Sequence, residues 1–183
     1  MIWTESIPLA TLASVATGLI CLVLARALLH KLTARAEFEA TLGEYRILPQ
    51  GWTAVAAVCF VVLEAIAIVA IIAPASRQQG AILAAGLFSL YSLAMAINLL
   101  RGRDRIDCGC GGAGQHLSWF LVARNLLLVA GCVCIVTCDM PAMLGVAECI
   151  AAAGLVPLLW LLLALFDRIL GNRSHERATS REA

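Results

Sequence analysis

Residues 53–73 read TAVAAVCFVVLEAIAIVAIIA, an apolar run of 21 residues whose one ionisable side chain is Glu64. A hydrocarbon core about 30 Å thick takes about 20 apolar residues of helix, so this run predicts a membrane-crossing helix. Four other runs meet the same requirement: 7–29, 81–100, 120–137 and 144–166. Trp3, Trp52 and Trp119 fall at the edges of these runs and Trp160 one to two turns inside, as suits rings that settle at the interface. The fold class that follows is all-α, a polytopic membrane bundle of about five transmembrane helices over residues 1–166. Residues 167–183 are charged and lack an apolar face, which predicts a solvated tail without structure.

Composition agrees. Hydrophobic residues make up 62% of the 183, well above the roughly half of a soluble domain, so water is not the solvent for most of this surface. A net charge of +1 supplies no basic stripe for nucleic acid. There is no phosphate-cradling glycine loop, dinucleotide fingerprint or zinc-protease histidine pair, which leaves nucleotide-driven and hydrolytic functions without support and implies no cofactor. The first residues, Met1 to Ser6, carry Glu5 instead of a basic flank, and the run behind them is longer than a secretory h-region, so it reads as a retained span.

Between the first two spans, Phe38, Leu42, Tyr45 and Leu48 recur at helical spacing, opposite Arg35, Glu37, Glu39, Glu44 and Arg46. That pattern predicts a short helix on the membrane surface, ended by Pro49 and Gly51. Positive charge is retained on the cytoplasmic side. Lys31, Arg35 and Arg46 lie in the first loop, Arg101, Arg103 and Arg105 in the third, and four arginines in the tail, against Arg77 alone in the second loop, the fourth loop and the amino terminus together. The expected orientation in a bacterial inner membrane is therefore amino terminus periplasmic, carboxyl terminus cytoplasmic.

The third loop is the least ordinary segment. Asp107-Cys108-Gly109-Cys110-Gly111-Gly112 places two thiols outside the lipid, with glycines that let the backbone bend tightly. A disulfide across one residue would be strained and easily reduced, which suits a bond made and broken in turn. Arg101, Arg103 and Arg105 would favour thiolate, and Asp104 and Asp107 would oppose it. Two other readings stand beside thiol chemistry: an inert glycine-rich turn, and a metal site from Cys108, Cys110 and His116, for which zinc would want a fourth ligand.

Cys134 and Cys138 share a helix face, and Cys138 and Cys149 are placed to meet across the fourth loop; both are weaker redox candidates, since small residues also let helices pack closely. Cys21 and Cys59 read as buried hydrophobes. An ionisable group at mid-span costs roughly 2.5 to 3.5 kcal/mol on insertion scales, so Glu64 and Arg124 should face partners or a cavity. A Glu64–Arg124 contact, supported by Asn98 and Asn125, is the expected arrangement.

These residues resemble the MauE family of methylamine utilisation proteins, within the broader DoxX-like group. The likeness rests on Lys31-Leu32, Phe38, Tyr45 and Leu48-Pro49, on Glu64, on Arg101-Gly102-Arg103 with Ile106 to Gly111, and on Arg124-Asn125. It covers most of the chain to about Val136, and the Asp-Cys-Gly-Cys-Gly loop is its most specific part. It implies a DoxX-like four-helix core plus one helix. It also implies an accessory role, not an enzyme's, in processing, transport or disulfide maturation of the methylamine dehydrogenase small subunit, with the thioredoxin-like MauD as companion. A transporter with Glu64 lining a path and a docking scaffold without redox chemistry are the alternatives. With the third loop inside and the client maturing in the periplasm, a redox role implies a relay from Cys108 and Cys110 toward Cys138 or Cys149, about 30 Å away.

Overall fold

A computed structural model describes residues 3–49, 51–109, 116–138 and 146–179, with side chains described for 11–49, 51–109, 116–138, 146 and 149–165. The chain is all-α. Among the described residues six helices follow in order: α1 (Trp3–Thr33), α2 (Arg35–Glu44), α3 (Thr53–Ile72), α4 (Arg77–Leu100), α5 (Trp119–Thr137) and α6 (Val146–Thr179), with a 3-10 turn at Pro74–Ser76. Among the described residues, four segments are long and apolar enough to cross a bilayer, Thr11–Thr33, Thr53–Ile72, Pro74–Leu100 and Trp119–Thr137, and Cys149–Leu165 is a shorter apolar helix. The chain is a multi-pass membrane protein.

The four long helices close into a ring in which α1 packs on α3, α3 on α4, α4 on α5 and α5 back on α1, while among the described residues α6 packs on α1 alone. Each helix turns a narrow stripe inward. On α3 it is Ala57, Glu64, Ala67 and Ile71, and on α5 Leu121, Val122, Asn125, Leu128, Cys132 and Ile135. Lipid tails are as apolar as these stripes, so close packing and buried polar contacts must hold the ring, and small residues at the seams serve that end. Ala67, Ala81 and Ala84 are fully buried where α3 and α4 meet. At Gly80 an added Cβ would lie 2.5 Å from the Ile71 backbone nitrogen. Leu63, Val69, Leu93 and Leu127 point outward, as befits a surface solvated by lipid.

Two boundaries differ from the sequence expectation. The first span runs to Thr33 rather than Leu29, which carries Lys31 into the helix. The last helix runs on to Thr179, past the expected end at Phe166, so residues 167–179 of the expected structureless tail are helical; they hold no proline and a single glycine. The amphipathic segment forms α2, but it closes the end of the ring instead of lying free on lipid. Phe38 is buried and meets Phe60 of α3 edge to face, ring centres 6.3 Å apart. Arg46 and Gly51 have positive φ, 49° and 93°, and turn the chain from α2 into α3.

Candidate functional site

Lys31, near the end of α1, and Glu64, midway along α3, are both fully buried and form an ion pair. A charge in this setting persists only when paired and hydrogen-bonded. Tyr91 of α4 completes the cluster: its hydroxyl donates to Glu64 Oε1 at 2.8 Å and accepts from Lys31 Nζ at 3.3 Å. The ammonium also stands 5.0 Å from the Phe38 ring centre and 4.9 Å from that of Tyr91, distances at which ring faces attract a cation. Three helices of the ring and α2 are thereby tied together at one point.

Glu64 is thus paired with Lys31 and not, as the sequence suggested, with Arg124. Arg124 lies across a small chamber of about 30 Å³ that Glu64, Arg26, Asn125, Tyr91 and Trp160 also border. Such a volume admits about one water molecule. Glu64 Oε2 and Asn125 Nδ2, both buried on this chamber, have no protein partner among the described residues. Asn98 bonds within its own helix, Nδ2 to the Ala94 carbonyl at 3.1 Å.

Beyond Tyr91 and Phe60 lies a second, larger chamber of about 300 Å³, bounded by α2, α3, α4 and the third loop. Its walls are aromatic and aliphatic, with Phe38, Tyr45, Phe60 and Tyr91 contributing rings. Its rim includes Leu63 and Leu90, which face outward from α3 and α4, so it opens at lipid depth.

Cys108 belongs to this chamber's wall. An antiparallel bridge between Asp107 and His116 pins the base of the loop, reinforced by the Leu117 N–H to the Ile106 carbonyl at 3.0 Å. Ile106, Cys108 and Leu117 are then drawn into a core with Tyr45, Met95, Leu121 and Val122. Tyr45 donates to the Cys108 carbonyl at 3.3 Å, and the Cys108 thiol faces Met95 Sδ at 3.8 Å. Gly109 follows with φ 71°, and a Cβ added there would meet Phe38 and Thr41 at 3.4 Å. Cys108 is therefore buried, 6% exposed, and lines the chamber, where the sequence suggested an exposed thiol among arginines. Arg103 points elsewhere, donating to the Glu44 carbonyl at 3.2 Å.

Cys110 lies outside the described residues. His116 faces Asp107, 3.7 Å from Nδ1 to Oδ1, and no group of three metal-binding side chains occurs among the described residues. Cys134 and Cys138 are adjacent, with sulfurs 3.7 Å apart at the far end of α5. Cys149 stands exposed on α6, which does not pack on α5, and the loop across which Cys138 was expected to reach it lies outside the described residues. From the start of α5, beside Cys108, to Cys138 is roughly 28 Å at 1.5 Å per residue, so among the described residues Cys108 does not meet Cys138.

Lys31 and Tyr91 are the residues that sequence reasoning did not place in the site. The signal for Lys31 was its spacing of one helical turn beyond Ala27, on the buried face of α1.

Residues 9–137 match the family described as Methylamine utilisation protein MauE. Methylamine utilization protein MauE of Paracoccus denitrificans is 37% identical over 139 residues, 75% of this chain and 74% of that protein. The protein of the same name from Methylophilus methylotrophus is 38% identical over 121 residues, 64% of each chain, and that from Methylorubrum extorquens 38% over 106 residues, 57% of each. No solved structure matches.

Proposed function

Because the chain belongs to the MauE family of methylamine utilisation proteins, we propose that it is a membrane accessory factor for disulfide maturation of the methylamine dehydrogenase small subunit, with Cys108 and Cys110 as its exchanging thiols. The observation that carries this reading is the placement of Cys108. It lies outside the spans, yet Tyr45 holds its backbone carbonyl and Met95 faces its thiol on the wall of a lipid-side chamber. An inert turn needs no such fixing.

In the proposed step a client dithiol attacks a Cys108–Cys110 disulfide through a mixed disulfide. The client loses two electrons and two protons as its own S–S bond forms, and the loop pair is left as two thiols. MauD, as a thioredoxin-like companion, is the intermediary wherever loop and client do not share a compartment.

The transporter alternative gains nothing from Glu64, which Lys31 neutralises and Tyr91 caps, beside a chamber too small for a substrate. Its role is architectural.

Cys108→Ser and Cys110→Ser should each abolish accumulation of active, fully disulfide-bonded methylamine dehydrogenase, while the variant proteins remain in the membrane at wild-type amounts. Non-reducing electrophoresis of the small subunit from such cells is the measurement. Normal disulfides in both variants would remove the reading. Labelling the loop thiols of intact cells with a membrane-impermeant reagent adds sidedness: modification from outside sets the loop against the client directly, and protection sets MauD between them.

A further inference from the structure

The end of the ring opposite Cys108 carries a second pair of thiols. Cys134 and Cys138 stand one turn apart at the close of α5, and their sulfurs are 3.7 Å from each other. The backbone fixes this spacing, because the Cys138 N–H donates to the Cys134 carbonyl at 3.0 Å and the chain leaves the helix at Cys138, with φ −91° and ψ 126°. Four residues of helix separate two Cα atoms by about 6 Å, inside the range of about 4.4 to 6.8 Å that a disulfide bridges. Joining the sulfurs therefore needs side-chain rotation and no shift of the helix.

The setting differs from that of the cysteine beside them. Cys132, on the same helix, is fully buried in the core with Ile20, Leu128 and Ile135. Cys134 and Cys138 are half-buried, with exposed Thr137 next to Cys138. The apolar span ends at Thr137, so Cys138 lies just past it and Cys134 one turn within. Close helix packing calls for small residues, but it does not call for two sulfurs in contact.

We propose that Cys134 and Cys138 form a second thiol–disulfide exchange site, which cycles with the disulfide of a thiol carrier at that membrane face. Cys138, on the water side, attacks one sulfur of the carrier's S–S bond, and the carrier's other sulfur leaves as a thiol. Cys134 then displaces the carrier from the mixed disulfide. The Cys134–Cys138 bond has formed, and the carrier, with two electrons and two protons gained, ends as two thiols. A bridge across so short a loop, inside a turn the helix already holds, restrains the unfolded chain little, so its use is exchange and not stabilisation. Cys138 has its partner on its own helix and needs none on α6.

The test uses the full chain in detergent with oxidised glutathione as the carrier. Reduced protein is exposed to it, denatured, alkylated and digested with chymotrypsin, and peptide masses report the state of each cysteine. Cys134 and Cys138 are expected to lose their alkyl groups together, as one internal disulfide, while Cys132 stays alkylated. Cys134→Ser should leave glutathione on Cys138, and Cys138→Ser should leave Cys134 alkylated. Persistent alkylation of both thiols in the unmodified chain, a separate glutathione on each, or a bridge from Cys138 to any other cysteine would overturn the proposal. Glutathione on Cys134 in Cys138→Ser, as readily as on Cys138 in Cys134→Ser, would overturn the order of attack. Because these peptides do not contain Cys108, failure here leaves the maturation reading standing, and failure there leaves this one.

Discussion

Cutting Lys31 back to Met is expected to lower the unfolding free energy by about 3–5 kcal/mol, because it strands the Glu64 carboxylate inside the ring. Glu64→Leu strands the ammonium and should cost a similar amount. The double variant is expected to recover most of the loss, since apolar groups of similar volume replace a buried pair at little cost and sometimes with a gain. Denaturant unfolding in detergent, followed by tryptophan fluorescence, gives the four corners of a double-mutant cycle. Additive losses would show that the two residues do not interact. A parallel cycle on Glu64 and Arg124 should come out close to additive. That contrast separates the observed pairing from the one the sequence suggested.

Gly80→Val should be nearly as damaging, by a different route. An added Cβ there falls 2.5 Å from the Ile71 nitrogen and 2.7 Å from the Ala70 carbonyl carbon, and backbone cannot turn aside as a side chain can. Overpacking in a close-packed interior costs about 1–3 kcal/mol, and the upper end applies where the opposing atoms are main chain. The tight turn at Pro74–Ser76 leaves α3 and α4 little freedom to spread apart. Gly86, on the same helix, has nothing within 4 Å of such a Cβ. Gly86→Ala is therefore the control: it should be neutral or stabilising by up to about 1 kcal/mol through helix propensity alone. Equal losses at both positions, in the same unfolding assay, would show that close approach of α3 and α4 is not what Gly80 permits.

The membrane helices were legible because the length of an apolar run is set by bilayer thickness, a constraint that leaves its mark residue by residue. The four-helix ring with one helix outside came from the family likeness, since the runs themselves are apolar on every side and carry little information about neighbours. Glu64 announced itself by its cost in lipid. Its partner did not, because Lys31 sits two residues beyond the apolar run and reads as a loop charge until α1 is known to continue to Thr33. With Lys31 inside, the first loop keeps Arg35 and Arg46 for the charge count. Cys108 was legible as a candidate but not in its environment. Its burial depends on Tyr45, Met95 and Leu117, which only the closed ring brings together. Tyr91 gave no signal at all, as a tyrosine in an apolar run has the look of an ordinary interior ring.

One asymmetry in the packing sets an order of events when the molecule opens. The four ring helices each have two neighbours in the ring, whereas α6 is held by α1 alone, at contacts such as Gly18 against Val156. Proteins open in cooperative units that differ in free energy, and the unit with the fewest packed faces opens first. Loss of α6 from α1 removes Trp160 from the small chamber beside Glu64 and Tyr91 but leaves the contacts among Lys31, Glu64 and Tyr91 and those of the Cys108 wall in place, since those contacts are made by other helices and the third loop. The slowest-exchanging amides of the chain should accordingly fall within residues 9–137, the segment it shares with its family.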